Sequence, residues 1–143
     1  MKKERIILAL FMVCTFVFGL CACGSGKKSI VGTWSTTTVD GDINSLVFAD
    51  DNTGRRTHKD HFSSAKDRSE NFTWEIHSEY TYTDEEDEKI TYKPTDNYKG
   101  VLVLTNDYGN VSVIAYYRFD DEKERLYLAD PNDNKSETSL SRE

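Results

Sequence analysis

The chain has 143 residues, with 18 lysines and arginines against 25 aspartates and glutamates, so its formal net charge at pH 7 is −7. A surface of this sign repels nucleic acid and anionic lipid head groups, and we expect neither as a partner. The length suits a single domain with its own apolar core. The 3 cysteines all fall within residues 1–23, so no disulfide is expected in the rest of the chain.

The first segment has the layout of a secretory signal. Basic side chains in residues 2–5 precede an almost unbroken apolar run over residues 6–20, and the small residue Ala22 stands directly before Cys23. This order of charged, apolar and small residues is typical of an export signal, here residues 1–22. The apolar run, at about 15 residues, is shorter than the roughly 20 that a membrane-spanning helix needs, which makes an uncleaved signal anchor the less favoured alternative.

Leu20-Cys21-Ala22-Cys23 resembles a bacterial lipobox, in which an aliphatic residue, a tolerant position and a small residue precede a cysteine. The resemblance implies cleavage before Cys23, diacylation of its sulfur, and a lipoprotein held in the bilayer at the extracytoplasmic face of the cell membrane. Two acyl chains suffice for stable attachment. Residues 23–29 would then form the lipidated cysteine and a short flexible linker.

After the linker, apolar and polar residues alternate with a period of two, and no stretch shows a helical repeat. The alternation is cleanest over residues 72–76, whereas residues 101–105 are apolar on both faces and predict a strand that is covered on both sides. Acidic residues 84–88 interrupt a pair of short strands and predict a hairpin with an acidic tip. Residues 55–70 predict one polar strand followed by a loop.

Eight or nine such strands predict an all-β domain over residues 30–129, an antiparallel up-and-down meander. Closure into a barrel is favoured because it removes the exposed edges of the sheet. An open two-sheet sandwich satisfies the same alternation and is the alternative. Residues 130–143 are expected to be a polar C-terminal tail with nothing to pack.

Gly32-Thr33-Trp34 resembles the Gly-x-Trp motif that opens lipocalins, and residues 104–108 (LTNDY) are similar to their later Thr-Asp-Tyr turn. The resemblance implies a small barrel of about eight strands with Gly32 and Trp34 at its floor. It also implies an arginine packed on Trp34, for which Arg118 and Arg125 are both candidates. With residues 74–76 (WEI), the pattern is similar to the lipocalin-like domains of uncharacterised lipoproteins from low-GC Gram-positive bacteria.

Metal-binding patterns are weak. His58, His61 and His77 would suit zinc if they converged, but residues three apart on a strand face opposite ways, so solvated histidines are the favoured interpretation. Two short runs that begin at Asp50 and Asp130 resemble calcium loops but lack a glutamate at the required spacing. We therefore predict no metal and no cofactor.

No serine or cysteine nucleophile stands in a recognisable catalytic setting, and the carboxylates are too many to single out a pair, so we predict that the protein is not an enzyme. Tyrosines suit the mouth of a ligand cavity and equally an exposed protein-binding face. One hypothesis is a non-catalytic binding domain for a small apolar ligand; the alternative is a filled barrel that binds another cell-envelope protein. The candidate ligand-facing or partner-facing aromatics are Trp74, Tyr80, Tyr82 and Tyr92.

Overall fold

The computed structural model describes residues 29–133 and 136–143. The predictions for the signal segment 1–22, for acylation of Cys23 and for the linker up to residue 28 lie outside the described residues. In the described part of the chain, no helix has the length and apolarity needed to cross a membrane.

The described residues form ten strands and one short 3-10 turn, Ser64–Lys66. The strands are β1 (Gly32–Thr37), β2 (Ile43–Phe48), β3 (Thr53–Lys59), β4 (Arg68–His77), β5 (Tyr80–Thr83), β6 (Lys89–Tyr92), β7 (Gly100–Asn106), β8 (Val111–Phe119), β9 (Arg125–Ala129) and β10 (Glu137–Arg142).

Eight of these strands close into an antiparallel barrel in the order β1-β10-β9-β8-β7-β4-β3-β2. The prediction of an all-β antiparallel barrel is therefore confirmed, and the open sandwich is not formed. Strands β5 and β6 pair with each other as a separate hairpin between β4 and β7. Its acidic tip is built as predicted: Asp84 Oδ1 accepts the backbone N–H groups of Glu86 and Glu88, each at 2.9 Å.

The C-terminal segment corrects the sequence prediction. Residues 130–143 were expected to be a tail with nothing to pack, but β10 pairs with both β9 and β1 and closes the barrel. Leu140, the one large apolar side chain of the strand, is only 3% exposed. A strand that is hydrogen-bonded along both edges is held mainly by its backbone, so one inward leucine is enough to anchor it in the core. Its sequence therefore shows almost no alternation of apolar and polar residues.

Residues 55–70 also contribute more to the barrel wall than predicted. Strand β3 continues to Lys59, and β4 already begins at Arg68, so only a short connection separates them. The two strands pair in register from Thr53↔Thr73 to His58↔Arg68. The ladder forms between polar residues because cross-strand backbone pairing does not depend on their polarity.

The turn from β2 to β3 contains a residue with positive φ, which asparagine tolerates better than most residues. Asn52 has a φ of 69° there. Gly54 instead lies inside β3, where a Cβ atom would stand 2.2 Å from a ring carbon of Phe72. The glycine is therefore needed because Phe72 occupies the space above it.

The apolar core fills one end of the barrel, which we call the floor. Trp34 is fully buried there, as predicted, and its Nε1 donates to the Ile30 carbonyl at 2.7 Å. Strand β7 is buried on both faces from Gly100 to Leu104, also as predicted. The buried core consists of Ile30, Trp34, Leu46, Phe48, Phe72, Trp74, Leu102, Leu104, Tyr117, Leu126 and Leu140.

An arginine does pack on Trp34, but it is neither of the two candidates. The guanidinium carbon of Arg142 lies 4.2 Å from the centroid of the Trp34 ring. Arg118 instead stacks over Tyr127, and Arg125 is exposed. The prediction was wrong because Arg142 belongs to the segment that was taken for a tail.

Arg142 also ties the chain entry to the floor. It donates to the carbonyl of Ser29 at 2.8 Å and to that of Val31 at 3.2 Å. Gly32, with a φ of +138°, leaves room for this guanidinium, since a Cβ there would stand 2.8 Å from Arg142 Nη1. The Gly-x-Trp motif therefore requires glycine at position 32, because any side chain there would clash with Arg142.

Candidate ligand cavity at the barrel mouth

The alternating direction of the strands sorts the connections into two ends. Strand β1 starts at the floor, so the β1–β2 turn at residues 38–42 and the β3–β4 connection at 60–67 lie at the opposite end, which we call the mouth. The two mouth connections touch, because the backbone N–H of His61 donates to Asp42 Oδ1 at 2.9 Å. By the same count the β5–β6 hairpin belongs to the floor end.

A cavity of about 280 Å³ opens at the mouth, where β2 begins, β3 ends and β4 begins. Every residue of its lining is polar or charged. The lining residues are Asn44, Arg56, His58, Arg68 and Glu70.

Strand periodicity explains why these side chains point inward. Asn44 stands two residues before the buried Leu46, and Glu70 stands two residues before the buried Phe72. Side chains two apart share a face of a strand, so the lining continues the inner face of the barrel beyond the apolar core. Arg56 and His58 lie opposite these residues in the ladder and share that face.

The cavity is locally more positive than the acidic chain around it. Arg56 and Glu70 are cross-strand partners and form an ion pair. No carboxylate forms an ion pair with Arg68 among the residues that the structure describes. Among the five lining residues, two arginines and one glutamate leave one positive charge in excess, and the guanidinium of Arg68 is able to bind an anionic group inside the cavity.

A second group of polar side chains lies at the rim of the same cavity. Asp42, His58 and Asp60 each offer one ligand atom, and these atoms lie within 4.8 Å of one another. Because Asn44 pairs with His58 and Ile43 with Lys59, Asp42 and Asp60 occupy the next positions on the same face. We call these three residues the rim cluster.

Asp60 of the rim cluster is an ionised carboxylate that backbone hydrogen bonds hold in place. Burial alone would raise the pKa of Asp60, but backbone N–H groups of Phe62 and Ser63, aided by Lys66 and His58, lower it below its usual value. The N–H bonds to Asp60 Oδ1 measure 3.0 Å from Phe62 and 2.8 Å from Ser63. Asp60 is therefore a carboxylate at neutral pH.

The predicted aromatic site does not form at the mouth. Trp74, taken as a ligand-facing or partner-facing residue, is 1% exposed, and its Nε1 donates to the carbonyls of Ala49 and Thr53, so that prediction is wrong. Tyr80 pairs with Tyr92 on one face of the β5–β6 hairpin.

Tyr82 shares that face, opposite Ile90, and the three hairpin tyrosines are half-buried. The hairpin belongs to the floor end, so these tyrosines lie away from the polar cavity.

The three histidines do not converge. His61 packs its ring on Phe62 in the β3–β4 connection, and His77 lies 3.0 Å from Glu75 on β4. The partners of His58 are two aspartates and an asparagine, not another histidine. The spacing Asp42-x-Asn44 and His58-x-Asp60 indicates this polar cluster in the sequence. It can be interpreted only when the register between β2 and β3 is known.

No protein-family model, curated protein or solved structure matches this chain. Fold and site together define the class: a closed eight-stranded antiparallel barrel with a tryptophan-filled floor and a charged cavity at its mouth.

Proposed function

We propose that this chain is a membrane-anchored extracytoplasmic lipoprotein whose lipocalin-like barrel is a non-catalytic binding domain with its ligand site at the mouth. The proposal for the anchor depends on the lipobox-like Leu20-Cys21-Ala22-Cys23. The observation that carries the binding function is the cavity of about 280 Å³, whose lining continues the inner faces of three adjacent strands.

The chemistry of the lining favours a small anion over the small apolar molecule suggested by the sequence. An apolar ligand would cover the guanidinium of Arg68 without replacing its hydrogen bonds to water, and burying a charge without a partner is costly. A carboxylate or phosphate group would instead accept charge-assisted bonds from guanidinium groups. The volume lies near the lower end of the range for ligand sites, so a small molecule fits best.

Binding of another envelope protein remains the second candidate. The floor half of the barrel is filled by the large side chains of the core, as that hypothesis requires. The β5–β6 hairpin also presents Tyr82 and Ile90 on one face, and Ile90 is 38% exposed. This face is the first place to look for a protein contact.

The experiment uses the full chain in detergent with Cys14, Cys21 and Cys23 replaced by serine. Isothermal titration and thermal shift compare inorganic phosphate, succinate and octanol as probes. We expect phosphate and succinate to bind. Arg68→Gln should weaken their binding at least about ten-fold, because it removes a charge-assisted hydrogen bond. Arg55→Gln is the matched control, because Arg55 is the neighbour of Arg56 on the opposite face of β3.

Three results contradict this function. Binding of octanol alone, or equal loss of anion binding in both arginine variants, would show that the mouth cavity is not an anion site. Saturable turnover of a substrate that is abolished by a single carboxylate substitution would make the protein an enzyme.

A further inference from the structure

We infer that the rim cluster, Asp42, His58 and Asp60, is a binding site for one divalent transition-metal ion, with Zn²⁺ as the best match. This goes beyond the proposed function, because it concerns a cation at the rim and does not depend on an anion in the cavity.

The distances suit a shared ion. Zinc bonds of about 2.1 Å in tetrahedral geometry place neighbouring ligand atoms about 3.4 Å apart. His58 Nε2 lies 3.7 Å from Asp42 Oδ2, too far for a direct hydrogen bond but within a few tenths of an ångström of that separation. The third ligand atom, from Asp60, lies within 4.8 Å of both, so small side-chain rotations complete three of four positions.

The orientation of His58 is set by its second ring nitrogen. Nδ1 lies 2.8 Å from Asn44 Oδ1, an atom that only accepts hydrogen bonds, so Nδ1 carries the proton and donates. In this tautomer the ring lone pair is on Nε2, the atom that faces Asp42. This is the arrangement in which metal-binding histidines are usually held, with the other ring N–H bonded to an oxygen acceptor.

In each aspartate, one carboxylate oxygen accepts backbone hydrogen bonds, and the other oxygen is left to bind a metal ion. Asp42 Oδ1 accepts the N–H of His61 at 2.9 Å, which leaves Oδ2 toward His58. Asp60 Oδ1 accepts two backbone N–H groups, and the ammonium of Lys66 lies 3.9 Å from Oδ2. Lys66 thus stands where a cation is favoured, and its exposed side chain is free to swing away.

The ligand types select the metal. Two carboxylates and a neutral imidazole offset the charge of a divalent ion. The imidazole favours zinc and its neighbours over magnesium and calcium, which prefer all-oxygen sites. Three protein ligands leave one position open toward the cavity, where water or an anionic ligand completes the coordination.

The test titrates Zn²⁺ into the full chain in detergent, with Cys14, Cys21 and Cys23 replaced by serine so that no thiol competes. We expect one Zn²⁺ per chain, and a Co²⁺ visible spectrum typical of nitrogen and oxygen ligands. His58→Ala, Asp42→Asn and Asp60→Asn should each weaken Zn²⁺ binding at least about ten-fold. The asparagine variants keep an oxygen for the backbone N–H bonds, so the mouth connections stay folded.

The controls separate the site from general histidine binding. His77→Ala removes another histidine beside a carboxylate and should leave the affinity unchanged. Lys66→Gln should tighten Zn²⁺ binding by about five-fold, because it removes a positive charge near one ligand. This gain cannot arise from misfolding. Zn²⁺ is titrated without phosphate or succinate present, so failure of the anion proposal and failure of the metal proposal are distinguishable.

Absence of Zn²⁺ binding by the parent at about 100 μM would overturn the proposal, since structural and catalytic sites bind far more tightly. Equal affinity in parent and His58→Ala, or weaker binding in Lys66→Gln, would overturn it as well.

Discussion

Trp34 is the largest side chain at the floor and is fully buried, with its ring against Phe119 at a centroid distance of 5.7 Å and under the guanidinium of Arg142. Truncation to alanine removes this packing and leaves a cavity. We expect Trp34→Ala to lower the free energy of unfolding by about 3–5 kcal/mol, measured by urea denaturation. Tyr108→Ala is the control, because Tyr108 is 88% exposed and should change stability by less than about 0.5 kcal/mol. Equal stability of Trp34→Ala and the parent would contradict the placement.

Gly54 is a second residue whose identity is set by one neighbour. Because a Cβ would stand 2.2 Å from the Phe72 ring and 2.5 Å from the Val47 carbonyl, we expect Gly54→Ala to destabilise the barrel by about 1–3 kcal/mol. Phe72→Leu in the same chain should recover part of this loss, which a double-mutant cycle measures. Gly109 has a φ of +81° and open space around it, so Gly109→Ala is strained only in its backbone and Phe72→Leu should not rescue it. Simple additivity of Gly54→Ala and Phe72→Leu would show that the clash with the Phe72 ring is not the cause.

At the scale of elements, β10 is attached to the barrel by a cluster of side chains on the outer face. Arg118 on β8 reaches across the Tyr127 ring and donates to both carboxylate oxygens of Glu137, from Nε at 3.0 Å and from Nη2 at 2.6 Å. The hydroxyl of Tyr98 donates to Glu137 Oε2 at 2.9 Å. These bonds join β10 to β8 over the strand between them.

This cluster makes part of the stability dependent on pH. The hydrogen bonds from Arg118 lower the pKa of Glu137; its partial burial opposes them and the Tyr98 hydroxyl adds to them. An ionised Glu137 therefore stabilises the fold above the ordinary glutamate pKa of about 4.3, and this contribution is lost as pH falls through the lower folded value. We expect Glu137→Gln to cost about 1 kcal/mol at pH 7 and progressively less below about pH 4, measured by thermal melts. Glu122→Gln, in an exposed turn, is the control. A cost that does not change with pH would contradict the role of the charge.

Which elements could be predicted depended on how each strand is held. The strand over residues 72–76 could be predicted because the apolar residues Phe72, Trp74 and Ile76 alternate with polar ones, and β7 because it is apolar on both faces. Strand β10 could not be predicted, since Leu140 is its one large apolar residue and backbone pairing with its neighbours holds it in the sheet. Because β10 was not predicted, Arg142 was not recognised as the arginine that packs on Trp34.

The mouth cavity and the rim cluster were beyond the sequence because they depend on register. Asp42 and Asp60 are 18 positions apart and become neighbours only because Ile43 pairs with Lys59. A shift by one residue would turn His58 to the outer face. By contrast, the burial of Trp34 could be predicted, because the motif around it is local.

For the whole molecule, the position of the chain entry matters. Ser29 is bonded to Arg142 at the floor, so the segment that leads to Cys23 joins the barrel at the end opposite to the mouth. If Cys23 is acylated as proposed, the barrel carries its cavity and its rim cluster away from the attachment point. This orientation suits a domain that collects soluble ligands.

The proposed attachment through Cys23 can be tested directly. We expect mass spectrometry of the membrane fraction to detect a lipidated N-terminal peptide that begins at Cys23, and Cys23→Ala to release the protein from membranes. Cys21→Ala is the matched control and should leave attachment intact, because the lipobox tolerates several residues at that position. A Cys23→Ala protein that stays quantitatively with the membrane, or a mature chain that still carries Met1, would contradict acylation.

The seam between β1 and β10 has a consequence for how the barrel folds. The contact from Arg142 to Ser29 joins positions 113 residues apart, and closing so large a loop costs entropy before any contact across the seam repays it. Proteins dominated by such distant pairings fold slowly. A chain that emerges N-terminus first presents β1 with an unpaired edge until β10 has followed it. The closed barrel is therefore a late product of folding, formed only after the last strand of the chain has been made.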